Sequence, residues 1–500
     1  MLESGMDLAP EGELPERPTD LTRRAAGGFV WALAGFVCIQ AGSFATYTVA
    51  SRILGPGKIG LVGTLLTVVF WIDVFLDTGL GASVIYEQET GQSDRIKVAF
   101  TMTTAMTAVA TVVVLLAAPA IAGYYRAGGD VDLFRLLALV IAAKGLNQVP
   151  AAMLRRDMDF RKGMLCNLLQ SVSRFVVAVW LIEAGHGVVG MLIGIIVAEA
   201  SGTALTWFLV RFRPAFRFER PVASEMFRYG LPVFGATLLG MLWLNGDYLV
   251  VGRHFGGDSS QYGDYYTAFR LPELILGSFY NIFSNVAFPM YSAARAAGEE
   301  TLRRASLRSL RLLCLVGFSA GLGMALVAED FITSFYGSGF HGAIRPMEIL
   351  CVAGGFVGIG FASGDLYNAV GRQKLGLVFN MIGTPILMAG FIVAAPHGIV
   401  AVAMVHVAVM VPYSFIRIEV ANRLIGTTWG ESLAALSSAA SAVAGILLFA
   451  LPVRLLLDGG FLRMAAVAVA GVVGAVVGVS VGARSTYGEL KDLALKAAGR

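Results

Sequence analysis

Two aspartates, Asp73 and Asp77, stand inside the apolar stretch FWIDVFLDTGLGASVI, and no basic residue occurs between Lys58 and Arg95. Four residues apart, they share one face of a helix. Two like charges on one apolar face are costly to keep ionised together, so the pair suits the uptake and release of a proton or a sodium ion. The plainer alternatives are a hydrogen-bonding role for Asp77 at the helix break made by Gly79 and Gly81, and an ion pair between Asp73 and a basic residue of a neighbouring helix. Seven more charges lie in apolar segments: Lys144, Arg174, Glu199, Asp247, Arg270, Glu273 and Asp365. At about 2.5–3.5 kcal/mol each in hydrocarbon, nine of them would cost roughly 25 kcal/mol, so a polar interior must receive them.

Lys144 and Arg174 fall near the centres of their segments, too deep to snorkel. They suit an anionic ligand such as a diphosphate, which a guanidinium grips bidentately. A salt bridge to Asp73 or Glu199 is the alternative. Arg52 and Arg270 lie nearer the outer face, where Arg52 also fits a headgroup anchor. Asn245, Asn281, Asn285, Asn368 and Asn380 can bond sugar hydroxyls, although bonding between helices explains membrane asparagines equally well. His406 reads as a packing residue.

These side chains must be carried by membrane helices. The chain has 500 residues, 56% apolar and 14% charged, with a mean hydropathy of +0.72, well outside the composition of soluble domains. With about 20 apolar residues per crossing, fourteen spans are expected. They fall near 27–50, 59–86, 97–122, 131–153, 164–184, 186–210, 226–252, 264–293, 306–328, 344–369, 375–395, 397–421, 432–452 and 461–483. Four loops on one side, RRDMDFRK, RFRPAFRFERPVASEMFR, ARAAGEETLRRASLRSLR and GRQK, hold sixteen Lys and Arg. The positive-inside rule then puts both termini in the cytoplasm. The basic, amphipathic EETLRRASLRSLRLL is expected to lie on the cytoplasmic interface beside anionic lipid.

A weak repeat of about 200 residues links YTVASRILGPGKIGLVGT after the first span with YLVVGRHFGGDSSQYGDYYTA after the seventh. Six spans per unit make the two copies parallel. The expected fold is an all-α polytopic membrane protein, with two pseudo-symmetric six-helix lobes around a central cavity plus two C-terminal helices. The expected divisions are a disordered acidic tail 1–24 without a signal peptide, an N-terminal lobe 25–212 and a basic linker 213–228. A C-terminal lobe 229–425, two extra spans 426–484 and a tail 485–500 follow.

Several chemistries are disfavoured. LGPGKIG lacks the GxxxxGK[ST] spacing of a nucleotide loop, so transport would draw on an ion or substrate gradient. Cys38, Cys166, Cys314 and Cys351 show neither zinc spacing nor a disulfide framework. No cofactor, metal or nucleic acid is implied. A glycosyltransferase or polymerase would need a larger outer loop than those near 123–135 and 329–343, so the chain is not expected to be an enzyme.

The stretches SRILGPGKIGLVGT, DVFLDTGLGASVI, FRYGLPVFGATLLGMLWLNGDYLVVGRHFG and YGDYYTAFRLPELI, within about residues 22–425, resemble the polysaccharide transport family of Wzx-type oligosaccharide flippases. The loop MLRRDMDFRKGML is similar to the colanic-acid-exporter branch. This resemblance implies flipping of an undecaprenyl-diphosphate-linked oligosaccharide, a repeat unit of polysaccharide or lipopolysaccharide, across the bacterial inner membrane by alternating access. Arg52, Asp77, Asn245, Asp247 and Arg270 match recurring polar positions of its motifs. Lys144 and Arg174 are candidates on depth alone, and Asn281 on residue type. Asp73 and Asp77 are the candidate coupling sites for H+ or Na+. Membrane lipids and a polysaccharide polymerase or initiating transferase are the implied partners. A multidrug or organic-cation extruder of the same fold is the rival reading, and would want an anionic, aromatic cavity.

Overall fold

The computed structural model describes residues 18–76, 92–157 and 159–497, which are almost wholly helical and contain no strand. Among them, eleven helical segments are long and apolar enough to cross a membrane. The first, Leu33–Phe75, has 43 residues; straight, it would run about 65 Å, twice the hydrocarbon thickness. It belongs to α1 (Pro18–Leu76), which is interrupted at Gly55 with φ 73° and ψ 173°, directly before Pro56. Only glycine adopts that conformation readily, and proline offers no N–H to continue the ladder. Tyr47 and Gly63, equally far from Gly55 on either side, both pack against Tyr266. The two arms of α1 are therefore antiparallel, and α1 supplies two crossings.

Next come α2 (Gln92–Tyr124) and α3 (Val131–Arg156). A second hairpin joins α4 (Phe160–Leu181) to α5 (Gly187–Val210) through Gly185 and Gly187, both at positive φ. Its arms touch where Gly194 meets Ala178 and Gly202 meets Gln170. After α6 (Arg220–Phe255), the eighth crossing is broken into α7 (Ser260–Ala268), a turn at Arg270–Pro272, a π-helical turn at Glu273–Gly277, and α8 (Ser278–Ala296). This break removes it from a count of continuous helices. The rest are α9 (Glu299–Phe331), α10 (Ile344–Ala369), α11 (Lys374–Ala394), α12 (Ile399–Ile425), α13 (Trp429–Leu456), α14 (Phe461–Gly482) and α15 (Arg484–Ala497). With two hairpins and one broken crossing allowed for, each of the fourteen expected spans has a helical counterpart.

Several expected boundaries move. Helix α1 starts at Pro18, inside the stretch assigned to a disordered tail, and α6 starts at Arg220, inside the expected linker. Proline is well placed in a first helical turn. The basic segment EETLRRASLRSLRLL is the first half of the continuous helix α9. Three of its arginines pair with carboxylates of other helices, Arg303 with Glu431 and both Arg308 and Arg311 with Glu489 of α15, while the exposed Arg304 pairs with Glu300 one turn away. Glu489 thereby ties α15 to the start of α9.

Helices α1–α5 pack on one another, as do α6–α12, while α13 and α14 clasp each other and lie along α9. A Cβ on Gly445 of α13 would collide with the carbonyl oxygen of Gly474 in α14, so the backbones touch there, as small residues permit in membranes. Gly445→Ala is expected to destabilise the protein by about 1–3 kcal/mol through overpacking, read as a lower unfolding temperature in detergent.

The two lobes meet through the repeated motif. Residues 56–67 of the first copy pack on residues 257–266 of the second. A Cβ at Gly60 would sit 2.7 Å from the Ser259 carbonyl oxygen, and one at Gly263 would collide with the Pro56 carbonyl. Thr64 donates to the Gly257 carbonyl at 2.9 Å, and Tyr47 and Thr267 share a hydrogen bond of 2.8 Å. Arg126 adds a 3.0 Å bond to the His254 carbonyl.

Candidate functional site

A cavity of about 340 Å³ lies between the two arms of α1, helices α3–α5 and the broken eighth crossing. Six charged side chains line it: Asp73, Lys144, Arg174, Glu199, Arg270 and Glu273. They are paired. Lys144 of α3 bonds Asp73 of α1, Arg174 of α4 lies 3.6 Å from Glu199 of α5, and Arg270 lies 3.6 Å from Glu273. The cavity is thus charge-balanced, and the salt bridges that stood as the alternative for Lys144 and Arg174 are formed. An unpaired charge in a low-dielectric interior is so costly that a nearby carboxylate is the usual companion of such a cation.

The pairs are loose enough to leave donors over. Arg174 also donates to Ser43 at 3.0 Å, yet its Nε is buried without a partner, and so is the Nε of Arg270. Arg270 bonds the Tyr266 hydroxyl and sits 4.3 Å over the Tyr266 ring and 5.2 Å over that of Tyr47. Cation–π contacts hold its guanidinium in place. Its position follows from the chain break: Pro272 interrupts helical bonding, and the π-helical turn that follows turns Glu273 and Leu274 toward the same cavity. Such turns recur at functional sites.

Other candidate residues lie elsewhere. Arg52 caps the lobe contact, donating to the carbonyls of Phe335 (2.9 Å) and Ser334; it sits at the end of an α1 arm, where backbone oxygens are the nearest acceptors. Asp247 is wholly buried, accepts from Tyr265 at 2.7 Å and lies 3.4 Å from His406, so it belongs to a packed polar cluster. Its neighbour Asn245 does not line the cavity. Asn281 is exposed and donates back to the Gly277 carbonyl at 2.8 Å, repairing the helix after the π-helical turn. Asp77 lies outside the described residues.

A second cavity, about 280 Å³, lies within the other lobe between α6, α8 and α10–α12. It contains Asp365, Asn368 and Asn380, and also Arg417, which the sequence analysis did not single out. An apolar groove of about 790 Å³ runs along α9 and α14. Leu271 and Ile275 line this groove, while their neighbours Arg270, Glu273 and Leu274 line the charged cavity.

Two helical lobes around a charged cavity, built from helices long and apolar enough to cross a membrane, define a polytopic membrane protein. The sequence profile described as "Polysaccharide biosynthesis protein" matches residues 49–345, more than half of the chain. The chain belongs to that family. It is 24% identical over 412 residues to the teichuronic acid biosynthesis protein TuaB of Bacillus subtilis (strain 168), covering 81% of this chain and 82% of that protein. To the lipopolysaccharide biosynthesis protein WzxC of Escherichia coli (strain K12) it is 21% identical over 408 residues, covering 81% and 80%. Its fold is similar to that of the lipid II flippase MurJ in an inward closed conformation, with a TM-score of 0.74 at 13% identity, covering 92% of this chain and 99% of MurJ. The fold is also similar to that of a multidrug resistance MATE family transporter in an inward-facing conformation, with a TM-score of 0.66 at 16% identity, covering 79% of this chain and 98% of that one.

Proposed function

We propose that the protein flips an undecaprenyl-diphosphate-linked oligosaccharide, a repeat unit of a surface polysaccharide or lipopolysaccharide, from the cytoplasmic to the outer leaflet of the bacterial inner membrane. The observation that carries this reading is the junction at residues 270–275. One short broken segment faces a charged cavity with Arg270 and an apolar groove with Leu271 and Ile275. A molecule with an anionic head joined to a long apolar tail fits both at once. The diphosphate would take Arg270, Arg174 and Lys144, whose donors are arranged around one space, and the polyprenyl chain would lie along α9 and α14. Relatives named for teichuronic acid and lipopolysaccharide biosynthesis support a lipid-linked glycan as cargo.

Ion coupling fits the Asp73–Lys144 pair. A proton or sodium ion taken up by Asp73 weakens its hold on Lys144 and releases the ammonium to the phosphate; Asp77 is a second coupling candidate. With the basic loops and both termini in the cytoplasm, the glycine-rich contact between lobes seals the outer side. The described arrangement is then the one that loads from inside. A polyprenyl-diphosphate sugar with a photoreactive group on its lipid is expected to label peptides of α9 and α14. Equal labelling by the polyprenyl alcohol, undiminished by excess diphosphate lipid, would contradict the shared head-and-tail site.

A further inference from the structure

The cavity of the second lobe contains two charged side chains, Asp365 and Arg417, that each keep a buried polar atom without a partner. Asp365 is 7% exposed; it accepts from Ser284 at 2.6 Å through one oxygen, and its other oxygen is buried without a partner. Arg417 stacks 5.4 Å over the Phe379 ring, forms no ion pair among the described residues, and keeps an unpartnered Nε. Asn368 and Asn380 line the same space. Trp243 and Tyr413, with ring centroids 4.9 Å apart, close one side.

Arg417 offers only donors, a carboxylate at Asp365 only acceptors, and the two amides both. A simple anion would answer the arginine and be repelled by the aspartate. A simple cation would do the reverse. Vicinal hydroxyls on a ring donate and accept together, and the C–H face of a sugar packs on indole and phenol. The volume, about 280 Å³, is at the small end for ligand pockets, in keeping with one ring rather than a whole headgroup. Ser284 follows Glu273 by eleven residues, roughly 16 Å along the helix, so the two cavities are set apart along one element.

We propose that this cavity binds a single uncharged pyranose ring distal to the diphosphate, so that the second lobe reads the glycan while the first holds the lipid-linked head. The proposal rests on the flipping reading above. The test compares undecaprenyl diphosphate carrying one N-acetylglucosamine with the same lipid carrying a tetrasaccharide, in liposomes containing wild-type protein, Arg417→Gln or Asn368→Ala. Flipping of the tetrasaccharide carrier is expected to fall by about tenfold or more in Arg417→Gln, the scale of one lost charge-assisted hydrogen bond, and by less in Asn368→Ala. The one-sugar carrier should move at the wild-type rate in both. Equal slowing of both carriers, or no slowing of either, would overturn the site. Wild-type protein that moves neither carrier would overturn the flipping reading instead. Saturation-transfer NMR with the free tetrasaccharide then decides the sugar site separately: signal lost in both variants supports it, and signal retained in both overturns it.

Discussion

Lys144→Ala and Arg174→Ala are each expected to cut the transport of a lipid-linked glycan by about ten- to a hundredfold, the loss of a hydrogen bond between charged groups at roughly 1.5–3 kcal/mol. Each change also takes an ion-pair partner from a carboxylate, Asp73 or Glu199, and weakening such a pair destabilises on its own account. The double variant Lys144→Met with Asp73→Asn separates the two effects, because it removes both charges of the pair. Its unfolding temperature should return toward that of the wild type while transport stays low. Transport restored together with stability would mean that the pair only staples α1 to α3, and that the cations do not handle the head group.

Gly263→Ala should have the second large effect. The added methyl collides with the Pro56 carbonyl, which is backbone and has no rotamer by which to retreat. Overpacking of about 1–3 kcal/mol is enough to shift a two-state equilibrium about five- to a hundredfold. The arrangement with residues 56–67 against 257–266 should therefore lose population. Cysteines at Lys58 and Asp258, in a chain without the four native cysteines, would report this through a short bis-maleimide. Bridging should be efficient in the parent and several-fold weaker with Gly263→Ala. Unchanged bridging would show that the contact relaxes locally and does not control the lobes.

The repeat that links residues 47–64 with 248–268 was legible because its glycines and tyrosines recur. What the sequence did not reveal is that the two copies touch each other, since a repeat says nothing of which faces meet. The deep charges were legible as well, through the cost of burying them, but only for the side chains near mid-span. Their grouping was only partly so. Asp73, Lys144, Arg174 and Arg270 share one cavity, and Glu199 and Glu273 complete it, whereas Asp247 is committed to Tyr265 and Arg52 to two carbonyls. Motif membership cannot tell a packed carboxylate from one facing a cavity. Arg417 escaped because no motif marks it: its guanidinium lines the second cavity with the Phe379 ring 5.4 Å away, a packing that its place in the sequence does not show. Chain breaks were the least visible of all: Pro272 hints at one, but the turn at Glu273–Gly277, which sends neighbouring residues to two different spaces, packs on α9 and sets Leu276 against Gly354 of α10, contacts between segments far apart in sequence.

The most direct test is reconstitution of the purified full-length chain into liposomes containing a fluorescent undecaprenyl-diphosphate oligosaccharide, with an impermeant quencher outside and proton or sodium gradients imposed in turn. The account predicts protein-dependent movement of the fluorophore between leaflets, accelerated by one of the gradients and lost with Lys144→Ala and Arg174→Ala. Absence of movement under every gradient, together with extrusion of an organic cation by the same vesicles, would contradict it and leave the paired charges as structural ties in a drug exporter.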